Sequence, residues 1–200
     1  MYADLTVITG PMFAGKTTAL IRAIELVAGS DPILIVKPRM DDRYADDAIV
    51  SHDGQSWAAC SVASLAEFVD AVARASGASG RAVHVFVDEI QFFHAPHFDA
   101  PLHPAVQGLL AEGHTVTCAG LDLDWRGLPF DVTARLLAMA DHVTKLKARC
   151  AVTGLPASKS FKKAGGEAVV ELGSGDLYEP RANAHFHVGL PDAAAEALSA

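Results

Sequence analysis

The segment from Gly10 to Thr17 constrains the fold of this chain more than any other part of its sequence. It reads GPMFAGKT and fills every specified position of the pattern GxxxxGK(S/T). In such a loop, glycines let backbone N–H groups turn toward phosphate oxygens, the lysine adds a cation, and the hydroxyl binds Mg²⁺. An apolar run precedes the segment and a helical pattern follows it. The sequence therefore predicts a phosphate-binding loop between a strand and a helix.

A second segment supplies the carboxylates that such a loop needs. The apolar run Val83–Asp88, VHVFVD, ends in an acid, and Glu89 follows it. At the end of a strand, Asp88 can hold Mg²⁺ through water, together with the Thr17 hydroxyl. A carboxylate at Glu89 can serve as a general base. Such a base acts on water in an ATPase and on an alcohol in a kinase, and the two motifs leave both reactions open.

Short apolar runs alternate with helical patterns along most of the chain. The runs are rich in β-branched residues, which is typical of parallel strands that are covered on both faces. The predicted strands are Leu5–Thr9, Ile33–Lys37, Val83–Asp88, His114–Leu121 and His142–Lys147. The predicted helices are Lys16–Val27, a segment that begins with Ser64 and Glu67 at capping-box spacing, Pro104–Gly113 and Thr133–Asp141. This alternation predicts an α/β fold with a mostly parallel sheet.

The composition changes after about Lys147. Gly, Ser and Lys collect in residues 153–167, TGLPASKSFKKAGGE, which predicts a small β-rich appendage with a mobile loop. We therefore expect a P-loop nucleotide-binding core over residues 1–147, a small second domain over 148–190 and an Ala-rich tail over 191–200. Within the predicted loop, Lys159, Lys162 and Lys163 form either a solvated face or a group that holds phosphate.

Charge and cysteine content limit the expected partners and compartment. The formal net charge is −8, and nonspecific nucleic-acid binding comes mainly from Lys and Arg, so we expect no nucleic-acid partner. The first residues, Met1 to Asp4, lack a basic segment, and no apolar stretch reaches the length of a membrane span. We therefore expect neither a secretory signal nor a membrane partner. The three cysteines are an odd and sparse set, which fits a reducing cytosol.

Three histidines form an alternative candidate for a metal site. His94, His97 and His103 follow the acidic strand in FFHAPHFDAPLHP, and spacing of this kind can hold a metal. The prolines in the same stretch indicate a loop, and histidines are common on surface loops. The surface-loop interpretation is favoured, and the metal site stays open as the alternative.

Seven segments of the chain resemble the type II thymidine kinase family, which has a RecA-like P-loop core and a small zinc-bearing lasso domain. They occur in family order between Leu5 and Phe186 and read TGPMFAGKTT, DDRYADDAIVSHDG, VDEIQFF, AGLDLDWRGLPF, KLKARCAVTG, PASKSFK and VVELGSGDLYEPR. The resemblance implies a cytoplasmic, tetrameric enzyme that uses ATP and Mg²⁺ to phosphorylate the 5′-hydroxyl of thymidine. The alternative is a RecA-like P-loop ATPase or nucleotide-binding regulator without nucleoside kinase activity.

The resemblance also implies roles for individual residues. Glu89 is the base that takes the proton from the 5′-hydroxyl, and Arg43, in DDRY, stabilises the charge on the transferred phosphate. The implied ATP site comprises Gly10, Pro11, Met12, Phe13, Ala14, Gly15, Lys16, Thr17, Thr18, Asp88, Ile90 and Gln91, with Thr17 and Asp88 as Mg²⁺ ligands. The implied substrate site comprises Met12, Phe92 and Leu121 around the base, Ser160 near the thymine methyl, the lasso strand Val169, Val170, Glu171, Leu172 and Gly173 on the pyrimidine, and Tyr178 beside the substrate.

The chain departs from the family at the zinc site of the lasso. The family pairs C-x₂-C with a later C-x₂-C or C-x₂-H, whereas this chain has Cys150 with Thr153, and Ala182 with His185. Because Thr and Ala cannot replace thiolates, two of the four ligands are missing, and we expect no zinc. Something else must then hold the base of the lasso. The candidates are apolar contacts from Val152, Leu155 and Phe186, or hydrogen bonds from Thr153 and Asn183.

Overall fold

The computed structural model describes residues 3–39, 48–50, 54–163 and 177–186. Its strands are β1 (Leu5–Thr9), β2 (Ile33–Pro38), β3 (Ala48–Val50), β4 (Ser56–Ala58), β5 (Cys60–Val62), β6 (His84–Val87), β7 (Thr115–Gly120), β8 (His142–Lys145), β9 (Ala148–Arg149), β10 (Pro156–Ala157), β11 (Lys159–Lys162) and β12 (Tyr178–Arg181). Its α-helices are α1 (Lys16–Val27), α2 (Leu65–Ser79), α3 (His103–Ala111) and α4 (Asp131–Met139). The predicted site residues Arg43 and Val169–Gly173 lie outside the described residues, as does the predicted tail.

Six strands form one sheet in which every neighbouring pair is parallel, in the order β5-β2-β6-β7-β1-β8. Helix α1 connects β1 to β2, α2 connects β5 to β6, α3 connects β6 to β7, and α4 connects β7 to β8. Parallel neighbours need crossover connections, which these helices supply. The predicted α/β fold with a parallel sheet is confirmed, and it is consistent with a P-loop core.

Helices cover both faces of the sheet, and alternate strand residues reach the two faces. Val7 and Val85 pack in one core with residues of α2, α3 and α4. Their neighbours Ile8 and Phe86 pack on the opposite face against α1. Because side chains alternate across a strand, a strand that is covered on both faces must be apolar throughout. Among the described residues, none of the helices is both long enough and apolar enough to cross a bilayer.

Strand β8 differs from the buried run that was predicted over His142–Lys147. It ends at Lys145, and all four of its residues are exposed. Among the described strands it pairs only with β1, because it lies at the edge of the sheet. A strand in this position is not covered on both faces, so its mixed sequence HVTK does not need burial.

The helices begin close to their predicted positions, with informative differences. The Ser64 hydroxyl accepts from the Glu67 N–H at 3.2 Å and caps α2 as the capping-box spacing predicts. The Glu67 carboxylate returns to the N–H of Ala63 rather than to that of Ser64, at 2.9 Å. Helix α4 begins at Asp131, earlier than predicted, and Asp131 supplies an acidic residue to the first turn.

The C-terminal strands place Lys159–Lys162 of the predicted Gly-, Ser- and Lys-rich loop in a β-ladder, while residues 164–167 of that stretch lie outside the described residues. Lys159 and Lys162 lie in β11, which pairs antiparallel with β12, and Lys163 extends this ladder by one backbone hydrogen bond. The Lys162 ammonium lies 5.4 Å from the ring of Trp125 and 6.0 Å from the ring of Tyr178. The ladder and the cation–π contacts order a segment whose local composition alone indicates a loop.

Gly120, the last residue of β7, should not tolerate a side chain. A Cβ there would lie 2.5 Å from Gln91 Oε1 and 2.9 Å from the backbone nitrogen of Ile90. We expect Gly120→Ala to destabilise the protein by about 1–3 kcal/mol through overpacking, measured by urea unfolding. Gly108→Ala, in α3 where a Cβ meets nothing within 4 Å, is the matched control and should stabilise by about 0.5–1 kcal/mol. Equal stability of Gly120→Ala and the wild type would contradict this close approach.

Candidate active site

The predicted phosphate-binding loop leaves β1 at Thr9 and enters α1 at Lys16. Gly10 has a φ of 148° and Gly15 a φ of 80°, conformations that favour glycine. A Cβ at Gly10 would also lie 2.5 Å from the carbonyl oxygen of Leu146. The loop backbone and the helix N-terminus that follows it form the arrangement that binds phosphate through N–H groups.

Lys16 folds back over this loop. Its Nζ donates to the carbonyl oxygen of Pro11 at 2.9 Å. Burial lowers the pKa of Lys16, and the negative charges of Glu89, Asp88 and Asp122 oppose the lowering. The one cation of the loop is therefore surrounded by carboxylates that favour its charged form.

Asp88 meets the loop at the carboxyl edge of the sheet. Thr17 Oγ1 donates to Asp88 Oδ2 at 3.0 Å, and Asp88 Oδ1 accepts from the Glu89 N–H at 3.0 Å. Burial raises the pKa of Asp88 to about 7, and the negative charge of Glu89 adds to the rise. The structure thus brings together the two implied Mg²⁺ ligands. Hydroxyl and carboxylate oxygens fit this hard cation.

Glu89 occupies an unusual backbone position directly after Asp88. Its φ is 55°, in the left-handed region, and a 3₁₀ helix, Ile90–Phe92, begins at the next residue. The side-chain amide of Gln91 donates to the Glu89 carboxylate, and Gln91 Oε1 accepts from the Leu121 N–H at 2.9 Å. Gln91 is anchored at the end of β7 and therefore orients the half-buried carboxylate of Glu89. Such a group can accept a proton, and a left-handed non-glycine residue is a strain found at functional sites.

The residues implied to wall the base pocket come from three segments. Met12 lies in the phosphate-binding loop, Phe92 in the 3₁₀ helix, and Leu121 directly after β7. The Phe92 side chain is buried, and its ring meets the ring of His97 edge-on at 5.4 Å. The side chain of Ile90 lies in the core. Any contact of this residue with a nucleotide would therefore be made by its main chain.

The three histidines that follow this segment are spread along the chain and are not grouped in space as metal ligands. No three His, Cys, Asp or Glu side chains in the described ranges are grouped so that they could hold a metal ion. The structure therefore does not bring His94, His97 and His103 together as a set of ligands. The Phe92 ring packs against one of them, which indicates a structural role for His97.

Ser160 and Tyr178 lie on the paired strands β11 and β12. The Ser160 hydroxyl is buried and accepts from the Met12 N–H at 2.9 Å. Tyr178 is also buried and stands opposite Lys162 in the ladder. The structure thus brings Ser160 directly onto the phosphate-binding loop.

Asp122 is a buried acid near the loop to which the sequence interpretation assigned no role. Lys145 Nζ lies 2.7 Å from Asp122 Oδ2. Thr9 pairs with Gly120 on one side and with Lys145 on the other. The ion pair therefore spans the end of β1, where the phosphate-binding loop begins. The argument that predicted Asp88, an acid after the carboxyl end of a parallel strand, applies equally to Asp122.

Small side chains close the base of the C-terminal strands. Ala148, Cys150 and Ala157 are buried together, and Ala14 and Ala182 pack against them. Hydrogen bonds from Thr153 and from the Ala182 N–H lower the pKa of the Cys150 thiol. Ala182, which stands where the family has a zinc ligand, therefore belongs to an apolar cluster that reaches the phosphate-binding loop.

The residues expected to hold this base divide into two groups. Val152 and Leu155 are 54% and 62% exposed, so the prediction that they supply apolar contacts is wrong. They lie in the turn between β9 and β10, where side chains face solvent. Both candidates for hydrogen bonding accept one. Thr153 Oγ1 accepts from the Leu155 N–H at 3.3 Å within the turn, and Asn183 Oδ1 accepts from the Ser158 hydroxyl at 3.2 Å, which joins two separate segments.

Phe186, the third apolar candidate, packs at a different place. The Lys159 ammonium lies 5.5 Å from the centre of its ring. A Cβ at Gly127 would lie 3.1 Å from the same ring. Phe186 therefore joins the start of β11 to the loop after β7 and takes no part in the alanine cluster.

A comparison with protein families matches this architecture. The family model described as thymidine kinase matches residues 3–186 of the chain. The match includes the phosphate-binding loop, the acidic residues after β6 and the C-terminal strands. It supports a nucleoside kinase function, with transfer of a phosphate group as the reaction.

Asp88→Asn should change how stability depends on pH. Because the pKa of Asp88 is raised to about 7, the folded protein keeps this proton at pH values where the unfolded chain has lost it. The wild type should therefore lose stability relative to the variant as pH rises from about 4 to about 7. The loss should be at most about 1.4 kcal/mol per pH unit and should level off above that range.

Urea unfolding of the ligand-free protein in chelator, at unit steps from about pH 5 to about pH 8, measures this difference. Asp70→Asn, an exposed position on α2, is the matched control and should follow the wild type at every pH. A stability difference between the wild type and Asp88→Asn that does not change with pH would contradict the raised pKa.

Proposed function

The chain belongs to the thymidine kinase family, and from this premise we propose that it transfers the γ-phosphate of ATP to the 5′-hydroxyl of thymidine. The observation that carries the proposal is the Glu89 carboxylate. It is half-buried, it is oriented by Gln91, and it follows the Asp88 that bonds to Thr17 of the loop. A base beside a phosphate-binding loop is what phosphoryl transfer to an alcohol requires.

In the proposed mechanism, residues of the loop position the phosphates and Glu89 handles the proton. Backbone N–H groups of residues 10–18 and the Lys16 ammonium hold the ATP phosphates, with the exception of Pro11, which has no N–H, and of Met12, whose N–H donates to Ser160. Thr17 and Asp88 would hold Mg²⁺, which would neutralise negative charge on the bound phosphates. Glu89 accepts the proton of the 5′-hydroxyl as that oxygen bonds to the γ-phosphorus, and the bond from phosphorus to ADP breaks. Positioning and charge stabilisation supply most of the catalysis in such reactions.

We assign the nucleoside to the space between the loop and the C-terminal strands. The contact between Met12 and Ser160 supports this, because it sets β11 beside the loop. The remaining assignments rest on the family resemblance. They are Phe92, Leu121 and Tyr178 around the substrate, residues 169–173 on the pyrimidine, and Arg43 at the transferred phosphate. A cytoplasmic tetramer is part of the same proposal, and the free cysteines agree with a reducing compartment.

A second candidate function is ATP hydrolysis without a nucleoside acceptor. The observation that favours it is the change at positions 153 and 182. The family has zinc-binding residues at these positions, whereas this chain has Thr153 and Ala182. A C-terminal segment altered in this way can have lost nucleoside binding while the loop keeps its nucleotide site. Water would then take the place of the 5′-hydroxyl beside Glu89.

ADP release with and without thymidine distinguishes the two functions. We expect thymidine to stimulate release and to become phosphorylated by labelled ATP. Glu89→Gln should lower turnover by roughly 10² to 10⁴, because the amide keeps the size of the side chain but cannot accept the proton. ATP affinity should change little in this variant. Glu112→Gln, at an exposed position, is the control and should keep full turnover.

Near-normal turnover of Glu89→Gln would show that another group is the base. If ADP is released at the same rate with and without thymidine, and no label is transferred to thymidine, the result would favour ATP hydrolysis as the function.

The base of the C-terminal strands should hold no zinc, because the pair Cys150 and His185 provides half of a four-ligand set. We expect elemental analysis of the dialysed protein to find zinc far below one per chain. EDTA, followed by restored Mg²⁺, should leave the melting temperature and the activity unchanged. About one zinc per chain that disappears in Cys150→Ser would show that the ligand set has been misjudged.

A further inference from the structure

Ser160, a residue of β11, holds the phosphate-binding loop by a hydrogen bond. Met12 donates its N–H to Ser160 Oγ at 2.9 Å, across a separation of 148 residues in the chain. The Ser160 side chain is only 4% exposed. A partly buried hydrogen bond between a loop amide and a side chain on another element restricts the loop backbone at that point.

A second contact joins the same loop to the same strands. Ala14 packs against Ala148, Cys150 and Ala157, and Ala182 completes the cluster. The loop therefore touches the C-terminal strands at two of its residues. One contact is polar and directional, and the other is apolar.

Strand β11 is a firm support for the Ser160 hydroxyl. Its neighbour Phe161 stands opposite Glu179 in the ladder with β12, and the Arg181 guanidinium lies 4.6 Å from the Phe161 ring. Arg181 also forms an ion pair with Glu179. The N–H of Ala151 donates to the carbonyl oxygen of Pro180 at 2.9 Å, which ties β12 to the segment after β9. The acceptor oxygen of Ser160 is therefore held by a network and does not depend on one strand alone.

We propose that Ser160 is a positioning residue for the phosphate-binding loop, so that nucleotide binding and docking of the C-terminal strands are coupled. This role differs from the thymine contact that the family resemblance implies for Ser160. The inference rests on the proposed function only in requiring that the loop binds ATP. Because coupling is reciprocal, bound nucleotide should also stabilise β11 and β12 against opening.

Substitution of the hydroxyl should weaken nucleotide binding more than nucleoside binding. Loss of one neutral hydrogen bond should raise the Kd of ATP, measured by calorimetry, by about 3- to 10-fold in Ser160→Ala. Ser160→Thr keeps the hydroxyl and should restore the affinity. Ser160→Cys, with a weaker acceptor of similar size, should fall between the two. The KM for thymidine should change by less than about 2-fold in Ser160→Ala.

Ser158→Ala is the matched control, because the Ser158 hydroxyl bonds to Asn183 and not to the loop. It should leave the Kd of ATP unchanged. Hydrogen exchange adds a second readout, since ATP should protect the amides of β11 and β12 in the wild type and protect them less in Ser160→Ala. A rise in the KM for thymidine alone, with unchanged Kd of ATP, would overturn the proposal and support the thymine contact instead.

The same experiment separates this proposal from the proposed function. Tight ATP binding that weakens in Ser160→Ala, without phosphorylation of thymidine, would support the positioning role and overturn the kinase assignment. Phosphorylation of thymidine with an ATP affinity that is the same in all three Ser160 variants would support the kinase assignment and overturn the positioning role. A wild-type protein that binds no ATP would overturn both.

Discussion

The hydrogen bond from Thr17 to Asp88 is the contact on which the rest of the candidate site depends. It joins the start of α1 to the end of β6, two segments that are 71 residues apart in the chain. It can form because β6, β7 and β1 are parallel neighbours whose carboxyl ends meet at one edge. Gly120 in the middle strand leaves the space through which Gln91 reaches the Leu121 N–H and aligns Glu89. An antiparallel order would put the hydroxyl and the carboxylate at opposite edges.

The acidic groups around Lys16 give the candidate site its electrostatic character. Asp88, Glu89 and Asp122 all act on the charge of Lys16, and Lys145 is paired with one of them. A bare triphosphate would add more negative charge to this cluster. A nucleotide that carries a divalent cation brings positive charge with it. Under the proposed function, this arrangement would favour a metal-bound nucleotide over a free one.

The parts of this structure that follow local rules could be predicted from the sequence, and the parts that depend on long-range geometry could not. Strand β1 and helix α1 have their predicted bounds, because an uninterrupted apolar run and a glycine-bounded loop leave few alternatives. The role of Ser160 depends on a partner in the loop that no local pattern reveals, and the Asp122–Lys145 ion pair depends on strand order. Val152 and Leu155 are apolar candidates for the contacts that hold the base of the C-terminal strands, but a turn exposes them, and the buried cluster consists of small residues instead.

The edge position of β8 has a consequence for solubility. Within the described residues no strand pairs with its outer side, and an exposed edge invites pairing with another chain. Val143, at 52% exposure, is the apolar residue at risk. Lys145 lies at the end of the same strand, and charged residues on an edge discourage aggregation. Because Asp122 anchors this lysine, the ion pair that spans the start of the phosphate-binding loop also keeps a charge fixed at the border of the sheet.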